Sequence, residues 1–348
     1  MLLSLFCGAG GLDLGFERAG YKVAMAFDIR EDSVKSYNHN RKIKGTAIAQ
    51  CLDVRTLTIE KLDELHGREF RPSGIIGGPP CQSFSRANKS QTLDDPRHEL
   101  PFVYAQLIAD LNARHPVPFF AFENVTGLNE EPHRERFLAL KAKLDESGFS
   151  VTEAILNATA FGVPQNRVRV ILVGLNKALF VGQSWFPPCG SGVTAALLTV
   201  RHAIGNLPEP TLFRRGLASS EINHHPNHWC MVPKSHKFTT KGALRQGKTG
   251  ARSFKTLAWD KPSLTVAYGH REVHVHPECH RRLSVYEAML LQGFPEKYEL
   301  LGTLSSQITQ VSEAVPPPMA KAIASAIKAQ IMRAEAQQAE QPDELVAA

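Results

Sequence analysis

Leu2-Leu-Ser-Leu-Phe6 runs directly into Cys7-Gly-Ala-Gly-Gly11, and then into Leu12-Asp-Leu-Gly-Phe-Glu-Arg18. An apolar run, a glycine-rich turn and apolar residues at helical spacing read as strand, tight turn and helix. Glycines at such a junction let a ligand approach the backbone at a helix N-terminus. The spacing departs from Gly-x-Gly-x-x-Gly, which favours a ligand without a pyrophosphate. The same unit continues outward. Buried strands are expected over 2–6, 23–29, 74–76, 119–122, 151–156 and 168–175. Helices are expected over 12–18, 32–40, 59–65, 102–112 and 134–146, with Gly20 and Gly148 closing two of them. Such alternation predicts an α/β fold, a mostly parallel sheet covered on both faces.

Beyond residue 175 the pattern decays into Pro, Gly, His and basic residues, then resumes over 283–291 and in an Ala-rich helix over 319–336. The division expected is 1–185, 186–275, 276–335 and a frayed tail over 336–348. The chain of 348 residues is 43% hydrophobic and 21% charged, which excludes disorder, collagen and coiled coil for the whole. No apolar run reaches the ~18 residues of a membrane span, so no membrane association is expected. The N-terminus lacks the pattern of a secretory signal. The cysteines at 7, 51, 81, 189, 230 and 279 form no C-x-x-C pair, which reads as reduced thiols in a cytoplasm. Net charge is +6, yet residues 186–281 hold 13 basic against 5 acidic side chains. Within them Lys234, Lys237, Lys241, Arg245, Lys248, Arg252 and Lys255 occur with no acid between. A basic, Gly-containing segment suits a phosphate backbone; the bland alternative is a solvated loop.

Four groups carry chemistry. Asp28 closes the second strand, where a carboxylate accepts hydrogen bonds from ribose hydroxyls, unless it merely caps a helix. Gly77-Gly-Pro-Pro-Cys-Gln-Ser-Phe-Ser85 sets Cys81 on a proline-fixed turn, a candidate nucleophile. Cys7, Cys51 and Cys189 are expected to be buried packing residues. Glu123 ends the very apolar strand 119–122; desolvation there favours a neutral acid, and an unpaired buried Glu is costly. Gln165, Arg167 and Arg169 share one face at strand period, a fork of donors toward one side of the sheet.

In this order and spacing the four resemble the cytosine-5 DNA methyltransferase family. Phe161-Gly-Val-Pro-Gln165 after Asn157, Arg281-Arg-Leu-Ser-Val-Tyr-Glu287, Leu291-Gln-Gly-Phe-Pro295 and Gln310-Val-Ser-Glu-Ala-Val-Pro-Pro317 extend the likeness over 1–175 and 260–330. The resemblance implies a Rossmann-like, doubly wound S-adenosylmethionine-dependent methyltransferase domain with a smaller target-recognition domain. It implies methylation at C5 of a flipped-out cytosine in double-stranded DNA, with Cys81 as nucleophile. Glu123, Arg169 and a supporting Arg167 would activate the ring. For S-adenosylmethionine it implies Phe6, Gly8, Gly11, Asp28, Ile29, Asp53, Val54, Pro80, Leu100 and Ala314, although Ile29, Val54 and Leu100 also suit plain core packing. A monomer in the bacterial cytoplasm or nucleoid is expected, with a restriction endonuclease acting on the same site as an implied partner without stable contact.

The chain departs from the family at Asp28-Ile29, where Glu and an aromatic are common. It departs again at Ser312-Glu-Ala-Val315, where Gly-Asn-Ser/Ala-Val is common. Eight of the fourteen histidines fall between His224 and His280. Their spacing matches no standard zinc pattern, so no metal is expected and they read as loop and nucleic-acid contacts. Two rivals stand beside the DNA reading: the same chemistry on a transfer RNA, and a catalytically silent DNA-binding regulator.

Overall fold

Successive residues of the first strand are buried on opposite sides: Leu2 joins one apolar cluster, Leu3 and Leu5 another. A strand apolar on both faces has to lie inside a sheet covered twice. The computed structural model describes residues 1–41, 48–80, 96–190, 197–248, 254–265 and 274–340, and it shows that arrangement.

The amino-terminal part runs β1 (Leu2–Leu5), α1 (Gly11–Arg18), β2 (Val23–Asp28), α2 (Glu31–His39), β3 (Ala49–Cys51), α3 (Ile59–His66) and β4 (Gly74–Gly77). It continues through α4 (Leu100–Arg114), β5 (Phe119–Asn124), α5 (Arg134–Glu146), β6 (Phe149–Asn157), β7 (Gln165–Asn166) and β8 (Val168–Asn176). Seven strands form one sheet in the order β3-β2-β1-β4-β5-β8-β6. The pairs among β1 to β5 are parallel, and β8 runs antiparallel to both β5 and β6. One face packs on Phe16 of α1 and on Met319, Ile323 and Ile327 of the last helix. The other packs on Leu62 of α3, Tyr104 and Ile108 of α4, and Phe137 and Leu140 of α5.

The strands and helices expected before residue 177 lie within one or two residues of those found, and 134–146 is matched at both ends. The last helix, expected over 319–336, runs from Pro317 to Glu340 and so takes in the start of the expected frayed tail. β3 went unread because a three-residue edge strand with only Ala49 buried carries no apolar period. Two expectations for cysteines are corrected. Cys7 is buried, but Cys51 and Cys189 are exposed, Cys51 because it ends the edge strand and Cys189 because it lies in a Pro-Pro-Cys-Gly loop.

After β8 come α6 (Val200–Ile204) and two-residue strand pairs, Thr211–Leu212 with Trp229–Cys230 and Lys255–Thr256 with His274–Val275. Ser263–Leu264 pairs with β7 in a separate two-stranded ladder and so ties this region back to the connection between β6 and β8. The chain returns through α7 (Val285–Leu291), α8 (Leu304–Glu313) and α9 (Pro317–Glu340). Ser284 and Glu287 make a reciprocal capping box at the start of α7. Buried Arg281 donates to both Glu287 oxygens at 2.8 and 2.9 Å and to Glu209 at 2.8 Å, which fixes the return segment. Among the described residues no helix is long and apolar enough to cross a membrane.

Candidate active site

The carboxyl ends of β1, β4 and β5 lie side by side, and the reversed β8 begins beside the end of β5, with Asn124 opposite Val170. The crevice outside the carboxyl ends of strands is where open α/β sheets bind ligands. Two groups of residues gather there.

The first surrounds the glycine turn. Phe6 takes φ 56°, a left-handed conformation that an aromatic residue rarely adopts. Gly8 follows at φ 52°, and among the described residues nothing beyond its chain neighbours lies within 4 Å of where its β-carbon would stand. The Gly8 amide donates to Asp28 Oδ2 at 2.9 Å, and the Arg30 amide to Asp28 Oδ1 at 2.9 Å. Burial pushes the Asp28 carboxyl above its ordinary value, partly offset by those two bonds. At Gly11 a β-carbon would meet the Val315 carbonyl at 2.4 Å and Ala314 Cβ at 3.2 Å, so the segment after α8 lies directly on the turn.

The carbonyls of the turn are held from behind. Tyr298 Oη donates to the Ala9 carbonyl, and Arg41 Nη2 to the Gly10 carbonyl at 3.3 Å. Arg41 also pairs with Glu17 at 2.8 Å and lies 3.5 Å over the Tyr37 ring. Tyr37 in turn donates to Asp13 at 2.9 Å. Burial raises Asp13 to about 6 and pushes the Cys7 thiol up as well, which fits Cys7 as a packing residue. None of these supports stood out in the sequence, because Arg41 and Tyr298 lie far from the turn along the chain.

The remaining positions expected at this site divide. Ile29 is 62% exposed, which rules out core packing for it. Val54 is buried among core residues, so packing accounts for it. Asp53 caps the turn Val54–Thr56 and is engaged by Arg55 through Nε and Nη2. Pro80 and Leu100 are half-buried, Leu100 as the first residue of α4.

The second group lies around β5. Glu123 and Arg169 are both nearly buried, with Arg169 Nε 2.9 Å from Glu123 Oε1. Glu123 is therefore paired. A β-carbon on Gly78 would stand 3.1 Å from Glu123 Oε2, and Asn124 Nδ2 donates to the Pro79 carbonyl at 3.2 Å. The pair thus abuts the Gly-Gly-Pro-Pro turn that leads into Cys81. Cys81 itself lies outside the described residues, as does Arg252.

Gln165, Arg167 and Arg169 are all buried while Asn166 and Val168 are exposed, so the strand period holds. The expected fork nevertheless separates. Arg169 faces Glu123, whereas Arg167 donates from Nη1 to the Ser312 carbonyl at 3.1 Å, at the end of α8. Arg167 therefore acts on the segment that covers Gly11. Gln165 is fully buried, and among the described residues neither of its amide atoms has a hydrogen-bond partner.

Of the basic run, Lys234, Lys241, Arg245 and Lys248 are exposed, and Lys237 and Lys255 are half-buried. Lys237 stands 4.7 Å from the Phe254 ring centre, with Arg282 at 5.1 Å. A cavity of about 410 Å³ opens there, lined by Met231, Val232, Phe238, Phe254 and Arg282. Four of the histidines read as loop or nucleic-acid contacts are instead buried: His225, His228, His274 and His276. Burial lowers His225 and His276 to about 4; His225 stacks on Tyr286 at 4.0 Å, and His228 bonds Ser284 and the Pro208 carbonyl. Burial favours the neutral form of His225, His228 and His276, which act as packing and hydrogen-bonding groups.

The chain matches the C-5 cytosine-specific DNA methylase family over residues 1–329. It is 33% identical to Type II methyltransferase M.NmeDI of Neisseria meningitidis serogroup C, over 94% of this chain and 83% of that one. It is 31% identical to Type II methyltransferase M.FnuDI of Fusobacterium nucleatum, over 94% of each. Among solved structures it resembles an E. coli prophage protein described as a DNA modification methyltransferase (TM-score 0.74, 23% identity), covering 95% of this chain and 99% of that one. It also resembles the S. pombe Dnmt2 methyltransferase (TM-score 0.65, 18% identity), covering 96% and 99%. At those identities the two structures bear on the fold alone.

Proposed function

This chain belongs to the C-5 cytosine-specific DNA methylase family, and on that premise we propose its full reaction. The protein transfers a methyl group from S-adenosylmethionine to C5 of a flipped-out cytosine in a specific double-stranded DNA sequence. One observation carries the reading: the Glu123–Arg169 pair is set against the turn that leads into Cys81.

Carbon 5 of cytosine is a poor nucleophile in an aromatic ring. A thiol of ordinary pKa, about 8.5, is only a few per cent thiolate at pH 7, so the ring has to be activated as well. Addition of the Cys81 thiolate forms an Sγ–C6 bond. The displaced electron pair passes through C5 and C4 to N3, which takes a proton shared with Glu123. Arg169 orients Glu123 and holds charge developing on the O2 side. When bound, S-adenosylmethionine supplies a methyl group on a sulfonium sulfur, which the electron-rich C5 can accept. Loss of the C5 proton, return of the N3 proton to Glu123 and expulsion of the Cys81 thiolate then restore the ring. Because C5 and C6 lie within the base stack, the cytosine has to leave the helix first.

The residues fit that donor. Gly8 leaves open space where any other residue would project a side chain, and Asp28 is fixed at the end of β2 with lone pairs to spare for ribose hydroxyls. Ile29 offers an exposed apolar face for adenine. Phe6, Gly11 and Ala314 complete the pocket, with Pro80 and Leu100 at its edge; Asp53 would reach the adenine amine on releasing Arg55. Lys234, Lys241, Arg245 and Lys248 are the exposed phosphate contacts, within a recognition domain over residues 186–275. By its type II relatives the protein serves restriction–modification in a bacterial cytoplasm, acting on the sequence that a companion endonuclease cleaves.

Transfer of tritiated methyl groups to double-stranded DNA, with transfer RNA as the alternative, tests the substrate. DNA carrying 5-fluorocytosine tests the covalent step, because fluorine cannot leave as a proton does. A denaturation-resistant adduct mapping to the Cys81 peptide is expected. Mapping to Cys7 or Cys51, or methylation of transfer RNA alone, would overturn the reading.

A further inference from the structure

The basic region holds a concavity with apolar walls. Met231, Val232, Phe238 and Phe254 line it, with Lys234 and Arg282 beside them, around a volume of about 410 Å³. Val232 is exposed, and Met231, Phe238 and Phe254 are half-buried. Apolar surface gathered in this way and rimmed by charge marks a binding site.

The fold holds these walls in place. Phe238 ends the helical turn His236–Phe238, which Ser235 caps by accepting from the Lys237 amide. Phe254 leads into the strand Lys255–Thr256, and the two rings stand 5.6 Å apart. Arg282 lies 5.1 Å from the centre of the Phe254 ring and 6.0 Å from that of Phe238. Its backbone is bridged to Val275, and its neighbour Arg281 is locked to Glu287 and Glu209. Aromatic faces orient a guanidinium plane. With five donors, Arg282 can be braced by a bond within the protein and still present a two-pronged edge.

Charge selects a nucleic acid as the occupant, since seven cations occur from Lys234 to Lys255 with no acid between. A phosphate suits the cavity poorly, because its oxygens would lose hydration against apolar walls. A base edge combines acceptors with apolar ring carbons. Arginine offers donors only, and in the major groove guanine alone presents two adjacent acceptors, O6 and N7.

We propose that this cavity reads a guanine of the recognition sequence by its major-groove edge, with Arg282 donating to O6 and N7 from a platform of Phe238 and Phe254. The inference rests on the DNA reading above. It sets Arg282 apart from Lys234 at the rim, whose contact is with phosphate.

Bisulfite sequencing of plasmid DNA from cells expressing the protein first gives the recognition sequence. Binding is then measured on duplexes in which each guanine in turn is replaced by 7-deazaguanine, which lacks the N7 acceptor. Wild type should bind about five- to a hundredfold more weakly at one guanine. In Arg282→Ala that penalty should fall below about twofold, with binding to non-cognate DNA changed far less than binding to cognate. Phe254→Leu keeps an apolar wall but removes the platform, so the penalty should shrink at the same guanine. Lys234→Ala should weaken binding to all duplexes alike and keep the penalty. A penalty undiminished in those of the Arg282 and Phe254 variants that fold would overturn the proposal. So would an equal loss on cognate and non-cognate DNA in Arg282→Ala, which would make Arg282 a phosphate contact. A penalty that Arg282→Ala abolishes for deoxyuridine in place of thymine, and for no guanine, would give the cavity to a thymine methyl group and overturn the guanine assignment. A wild type that methylates DNA with no guanine sensitive refutes the site alone. A wild type that methylates no DNA refutes the DNA reading, and the site with it.

Discussion

The pair Glu123–Arg169 allows chemistry and structure to be separated. Each side chain is about 10% exposed, and their charged atoms stand 2.9 Å apart. Glu123→Gln keeps the shape but leaves Arg169 buried without its counter-charge; Arg169→Met leaves Glu123 as a buried anion. Removing one partner of a buried pair costs about 3–5 kcal/mol, whereas removing both is often nearly neutral. Arg169 retains one bond, from Nη1 to the Val168 carbonyl at 2.8 Å, so Glu123→Gln belongs at the low end. At about 2 °C per kcal/mol for a large domain, Arg169→Met should lower the melting temperature by roughly 6–10 °C. The double variant should recover most of that loss. Turnover should not recover. General acid–base groups contribute about 10²–10⁴-fold, so Glu123→Gln and the double variant should both lose at least about a hundredfold. The assay is single-turnover methyl transfer at saturating DNA, with DNA binding measured separately; binding should change far less than turnover, since the lost interaction belongs to the transition state. Turnover returning with stability in the double variant would refute the argument. So would a loss below about tenfold in Glu123→Gln, for Glu123 would then be a structural residue only.

Two further outcomes follow from the geometry. Burial raises the Asp13 carboxyl from 3.8 to about 6, so the folded state holds its proton longer than the unfolded chain; stability therefore falls as pH rises from about 4 to about 6, by roughly 3 kcal/mol from this group. Asp13→Asn should remove that fall and gain on wild type steadily from pH 4 to pH 7 in urea unfolding, and an unchanged difference between the two profiles would contradict it. Lys241→Ala with Lys248→Ala, both exposed, should weaken binding to all DNA sequences alike and flatten the salt dependence by about 0.9 for each phosphate no longer neutralised. An unchanged salt slope would make the segment a solvated loop, and a changed sequence preference would make it a base reader.

The sheet was legible because its strands are apolar on both faces and short turns join them to amphipathic helices. Strand order was not. Nothing local in Val168–Asn176 distinguishes a parallel strand from an antiparallel one, yet its reversal sets Arg169 beside Glu123. Sequence period rightly placed Gln165, Arg167 and Arg169 on one face, but not the direction of each head group, which depends on what the fold brings near. For Arg167 that is the end of α8, reached only through packing of the carboxyl-terminal helices. The histidines show the reverse error. Polar residues in an aperiodic, basic stretch read as surface, while the small core of Val200, Ile204, Leu257, Leu283 and Leu291 has too little apolar period to be seen in advance.

The glycine turn announces itself, but the supports that make it a site do not. Amides can face a ligand only when the carbonyls of the same turn are satisfied elsewhere. Here Tyr298 and Arg41 take those of Ala9 and Gly10, and Arg41 is itself held by Glu17 and Tyr37. These contacts join residues 9–41 to Tyr298, in the carboxyl-terminal part of the chain. The carboxyl-terminal helices are therefore needed twice, to lay Ala314 and Val315 on Gly11 and to send Tyr298 behind Ala9. A chain ending before α7 would keep the whole signature from Phe6 to Gly11 and lose the groups that orient it.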